Sequence, residues 1–112
     1  MSFPRIDTAI PLRRYQYGEF TVTVLGDIQS PDAARYRYIM AVAQESNPQP
    51  GLFVCAERTQ GGACDLRIAM ADGEQVLESA PELCDLDTFV QSGLDIIARL
   101  LQLDDEMPHR LS

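Results

Sequence analysis

The sequence predicts an α+β fold, an antiparallel β-meander of about five strands packed on one C-terminal amphipathic helix. Three observations predict it. Period-two alternation of apolar and polar residues recurs between residues 12 and 79. Turn pairs such as Gly61-Gly62 and Asp72-Gly73 punctuate that alternation. A single apolar stripe of helical period then fills about residues 86–103.

Gly18-Glu19 reads as a turn or bulge leading out of a short strand near Arg13–Tyr17. From Phe20 to Ile28, Phe20, Val22, Val24 and Ile28 are expected on one face, and Thr21, Thr23, Leu25 and Asp27 on the other. Ser30-Pro31-Asp32-Ala33-Ala34 interrupts the pattern as either one helical turn or a plain loop. The strand from Arg35 to Gln44 is expected to carry Tyr36, Tyr38, Met40 and Val42 on one face. Arg35, Arg37, Ile39, Ala41 and Ala43 then fall on the other. Glu45–Gly51, reading ESNPQPG, is loop by composition. Leu52–Arg58 and Cys64–Ala71 form a hairpin, and a short strand, Glu74–Ser79, follows.

The helix has Asp85 as its expected N-cap, with Cys84 and Phe89 placed for a hydrophobic staple. Acidic residues at 104–106 oppose the negative end of the helix dipole and mark its stop. The expected organisation is one domain over residues 1–103, followed by an acidic, flexible tail over 104–112.

The chain has 112 residues and 46% apolar content, enough for one packed core. The N-terminus carries no apolar run of the signal-peptide type, and no stretch approaches a membrane span. The expected compartment is the cytoplasm, and no membrane partner is expected. The three cysteines, Cys55, Cys64 and Cys84, are expected to be small buried hydrophobes without a disulfide. All nine basic residues are Arg, consistent with a GC-rich coding genome and an expected bacterial source. Seven of them balance seven acids over residues 1–70, so the net charge of −8 lies in the last 42 residues. That field repels phosphate-bearing partners, and no nucleic-acid partner is expected.

Five strands at about 4.8 Å spacing make a sheet roughly 24 Å wide, whereas one helix is about 10 Å across. The helix alone therefore leaves apolar sheet uncovered. Either the sheet curls or a second copy supplies cover, and a homodimer is expected.

No constellation of reactive residues stands out. Cys55, Cys64, Cys84 and His109 lack zinc-site spacing, so no metal or cofactor is expected. The single His109 lies in the tail, so no Ser–His or Cys–His pair forms, and no catalytic residue is assigned. A neutral-to-basic sheet beside an acidic helix suggests binding of an acidic protein segment or a second copy, with Arg35, Arg37, Ile39 and Arg67 as the candidate surface. Were a pocket present between sheet and helix, Tyr36, Tyr38, Met40, Phe89 and Ile97 would line it. The expected function is thus a non-catalytic, protein-binding or chaperone-like homodimer. Small acidic secretion chaperones offer a functional analogy, although their elements usually start with a helix and these start with strands. The alternative is a small-ligand-binding domain using the sheet–helix pocket, with carboxylate chemistry open to it.

Overall fold

The computed structural model describes residues 3–32, 35–103 and 105–111. The strands are β1 (Thr8–Tyr17), β2 (Phe20–Gln29), β3 (Tyr36–Gln44), β4 (Asn47–Arg58), β5 (Cys64–Met70), β6 (Gly73–Ala80) and β7 (His109–Arg110). A 3-10 turn, Pro81–Cys84, leads into the helix α1 (Leu86–Leu101). The sheet runs β6-β5-β4-β3-β2-β1-β7 with every pair antiparallel, so β1 to β6 form an unbroken meander.

Among the described residues seven strands replace the expected five. The segment before Gly18 is a ten-residue strand rather than a fragment. The tail also contributes a strand: Arg110 pairs with Tyr15, His109 pairs with Gln16, and the Leu111 N–H donates to the Arg14 carbonyl at 2.7 Å. Asp104 lies outside the described residues, as do Ala33 and Ala34 of the expected 30–34 turn. The ESNPQPG stretch is mostly strand, because β4 begins at Asn47. Its prolines are tolerated there because β5 pairs with β4 only from Leu52 onward, leaving Pro48 and Pro50 beyond that ladder.

The helix starts and stops for local reasons. Asp85 accepts from the Thr88 N–H at 3.1 Å, which satisfies one of the donors a helix start exposes. At the other end Gln102 turns left-handed, with φ of 56°, and the Leu103 N–H reaches back to the Ala98 carbonyl. Phe89, Val90, Gly93 and Ile97 face the sheet. There they meet Tyr15, Val22, Met40, Val54 and Leu66, the main core of the molecule. The ring of Phe89 stacks on Tyr38 with centroids 5.7 Å apart. Gly93 lets the helix approach closely, since a Cβ there would lie 2.3 Å from the Met40 sulfur.

The opposite sheet face has its own smaller core of Ile39, Phe53, Cys55 and Ala69. The N-terminal arm covers it: Phe3 and Ile6 pack there, and the rings of Phe3 and Phe53 lie 5.2 Å apart. The surplus apolar surface that the sequence presents is therefore shared between the helix on one face and the chain's own N-terminus on the other.

Two bulges change which side chains share a face. In β2 Asp27 adopts a positive φ of 47°, next to a register shift against β1. Ile28 consequently joins Leu25 on the arm side rather than Val22 and Val24 on the helix side. In β3 the register against β4 slips between Tyr36 and Tyr38, so Tyr36 joins Ile39 on the arm side. An uninterrupted period of two, which the alternation implies, cannot anticipate either reversal.

Candidate functional site

Both bulges lie at the same end of the sheet, and together they open it. The ladder between β2 and β3 ends at the pair Leu25 and Ile39. Beyond that pair β3 stays with β4, and the Arg58 N–H donates to the Arg35 carbonyl at 2.8 Å. The end of β2 instead follows β1, with Gln29 opposite Thr8. The result is a fork between diverging strands that encloses a cleft of about 540 Å³. Asp27, Ser30 and Asp32 line one wall, and Arg35, Arg37 and Arg58 line the other.

The β2 wall is held by a compact hydrogen-bond cluster. Asp32 accepts from the backbone N–H of Arg5 at 3.0 Å, from Arg5 Nε at 3.3 Å and from the Tyr36 hydroxyl at 3.0 Å. The Ser30 hydroxyl donates to the Arg5 carbonyl, and the Asp7 N–H donates to the Gln29 carbonyl. The cluster therefore fastens the N-terminal arm and the Tyr36 ring to the mouth of the cleft. It also moves two pKa values. The Arg5 backbone bond is the main cause that pulls the Asp32 carboxyl below its ordinary 3.8. Burial, followed by the hydrogen bond to Asp32, pushes the Tyr36 hydroxyl upward.

The sign of the Asp32 shift makes a prediction. A carboxyl whose pKa is depressed in the folded state adds stability above its unfolded value, and that stability is lost as pH falls through the folded value. The arm should therefore stay docked down to about the ordinary carboxylate value and loosen only below it. Amide exchange of residues 3–7 during an acid titration checks this, and loosening well above that value would contradict it.

The arginine wall is charged and largely uncommitted. Arg35 and Arg58 are exposed, and neither forms a salt bridge among the described residues. Arg37 is half-buried; its guanidinium lies 4.7 Å from the Tyr38 ring centre, and its Nε donates to the Cys84 carbonyl at 3.4 Å. The lining thus brings three guanidiniums to two carboxylates, one of which, Asp32, is already paired with Arg5. An arginine-rich concavity of this kind receives carboxylate or phosphate groups through charge-assisted hydrogen bonds.

Of the residues that the sequence nominates for an interaction surface, only Arg35 and Arg37 come together here. Ile39 is fully buried beneath the arm. Arg67 lies further along the sheet, where it is taken up by Glu57 at 3.0 Å and Glu74 at 3.1 Å. Arg58 completes the wall in their place. With Leu52 opposite Val42 in the β3–β4 ladder, Arg58 falls beside the start of β3.

The nominated pocket residues separate as well. Tyr38, Met40, Phe89 and Ile97 are buried in the main core, pressed together where α1 crosses the sheet, while Tyr36 points to the other face. A distinct concavity of about 240 Å³ does lie at the far end of the sheet. It is lined by Phe20, Val42, Leu52, Met70 and Leu101, with Gln44 and Gln49 also in its wall.

The cysteines depart most from expectation. Cys64, the first residue of β5, and Cys84, the last of the 3-10 turn, are joined by a disulfide with Cα atoms 5.4 Å apart. Only Cys55 is free; it is buried, and burial is the main cause that pushes its thiol up to about 12. A separation of 20 residues spanning a whole hairpin hid the pairing from a reading of the sequence.

Among the described residues no group of three His, Cys, Asp or Glu side chains is placed to hold a metal ion, and no helix is long and apolar enough to cross a membrane. In comparison with known proteins, the chain matches no family model, no curated protein and no solved structure.

Proposed function

We propose that this protein is a small, non-catalytic, cytoplasmic binding module that holds an acidic segment of another protein, in a chaperone-like way, and works as a homodimer. The observation that carries the reading is the cleft between β2 and β3, where Arg35 and Arg58, which form no salt bridge among the described residues, stand beside the anchored Arg37. The net charge of −8 lies in the last 42 residues and repels acidic segments from that part of the molecule. A local excess of guanidinium groups is then where such a segment gains most.

The homodimer is supported by β6. This edge strand is exposed along nearly its whole length, with Val76 45% and Leu77 40% exposed. Pairing with a second copy along β6 would satisfy the backbone groups of both edges and cover these side chains.

The test is fluorescence anisotropy with a labelled hexaglutamate peptide. Each charge-assisted hydrogen bond contributes about 1.5–3 kcal/mol. The Arg35→Glu/Arg58→Glu variant should therefore bind at least about tenfold more weakly. Binding to the unaltered protein should also weaken with salt. Light scattering on the same samples should give twice the 12.5 kDa chain mass. Equal affinity in the variant would refute the cleft, and a monomer at high concentration would refute the dimer.

One observation favours a second reading, a small-ligand domain. The concavity beside Leu101 is predominantly apolar, with a few amide groups in its wall, as ligand pockets commonly are.

A further inference from the structure

We propose that the Cys64–Cys84 disulfide is a redox-controlled clamp on the arginine cleft, opened by a dithiol reductant, which weakens the hold on an acidic partner. The inference rests on the binding-module reading above and adds its regulation. Disulfides in a reducing compartment are usually transient and redox-sensing rather than structural. The position of this one gives it something to control.

Among the described residues, Arg37 is the only cleft arginine whose guanidinium is anchored. Its anchor points are the Tyr38 ring and the Cys84 carbonyl. The disulfide fixes that carbonyl by tying the 3-10 turn to the first residue of β5. Tyr38 in turn stacks on Phe89 in the first turn of α1, directly after the clamped segment. Releasing Cys84 therefore loosens one of the two contacts that aim Arg37 and leaves the other standing.

Access to the bond is one-sided. Cys64 is fully buried, whereas Cys84 is partly exposed and borders a concavity of about 340 Å³ lined also by Arg37, Arg58, Thr59 and Gly62. A thiolate of the dithiol attacks the Cys84 sulfur there, the S–S bond breaks, and Cys64 leaves as a thiolate that takes up a proton. The second thiolate of the reductant then attacks the mixed disulfide and expels Cys84, which is also protonated. Two electrons and two protons pass from the dithiol to the cysteine pair, and the reductant ends as a disulfide. The buried Cys55 thiol takes no part.

The experiment uses the whole chain, oxidised and then reduced with dithiothreitol, with far-UV circular dichroism to follow the fold. Two readouts are taken: the Arg37 Nε–H NMR signal without ligand, and hexaglutamate affinity by anisotropy. The proposal expects a folded reduced protein, a shifted Arg37 signal and affinity at least about fivefold lower, with the Cys64→Ser/Cys84→Ser variant matching the reduced form. An unchanged Arg37 signal, equal affinity in both forms, or unfolding on reduction would overturn the clamp. If the Arg37 signal shifts but neither form binds the peptide, the clamp's mechanical part stands and the acidic-segment reading is what fails.

Discussion

Replacing Phe89 by Ala is expected to lower the unfolding free energy by about 3–5 kcal/mol, the largest effect of any single substitution considered for this chain. Phe89 is fully buried in the first turn of α1, and its loss removes both a large apolar side chain and the ring that stacks on Tyr38. The site cannot readily collapse to fill the gap. The helix start is fixed by the Asp85 cap, and Gly93 already brings the helix against Met40. Aromatic contacts at the helix start also support Arg37, which rests on Tyr38, so the variant should disturb the cleft as well as the core. Urea denaturation of Phe89→Ala beside Gln91→Ala, which alters the exposed helix face, checks this. Gln91→Ala should change stability by less than about 0.5 kcal/mol. Similar losses in the two variants would mean that α1 does not dock on the sheet as described.

Removal of the disulfide is expected to cost about 3 kcal/mol, because it releases a loop of roughly twenty residues in the unfolded chain. For a domain of this size that corresponds to a fall in Tm on the order of 10 °C. Domains of this kind hold about 5–15 kcal/mol, so the reduced protein should still fold. Urea titrations with and without dithiothreitol measure the difference directly. A change close to zero would mean that Cys64 and Cys84 are not bonded in the native protein. Complete unfolding would make the bond an obligatory staple and leave no room for a clamp.

The elements carried by regular patterns were legible in the sequence. Leu86–Leu101 shows its stripe because one helix face meets one sheet face, and Asp85 marks its start by the chemistry of capping. The turn at Gly61-Gly62 was legible because Gly62, at φ of 86°, sits where side chains are strained. What escaped depends on local departures from period or on contacts between distant parts of the chain. The Asp27 bulge shifts Ile28, and the slip beside Arg37 shifts Tyr36, each by one residue, which is enough to reverse a face. Phe3 and Ile6 carry no period, yet they cover a sheet face. His109 and Arg110 carry no strand signal, yet they pair with β1.

The candidate site was half legible for the same reason. Arg35 and Arg37 stand out in the sequence as charges interleaved with tyrosines, but the cleft exists only because β2 and β3 diverge at those unforeseen bulges. Arg58 becomes part of it only through the register of β4. Ile39 and Arg67, though on the same strand pattern, were claimed by the arm and by Glu57 and Glu74.

The central claim is that the fork between β2 and β3 is where an acidic segment binds. NMR of arginine Nε–H groups during titration of the oxidised protein with hexaglutamate tests it most directly. The account predicts saturable shifts at Arg35, Arg37 and Arg58, with Arg67 and Arg99 unmoved. Shifts spread evenly over all nine arginines, or confined to residues outside the fork, would contradict it.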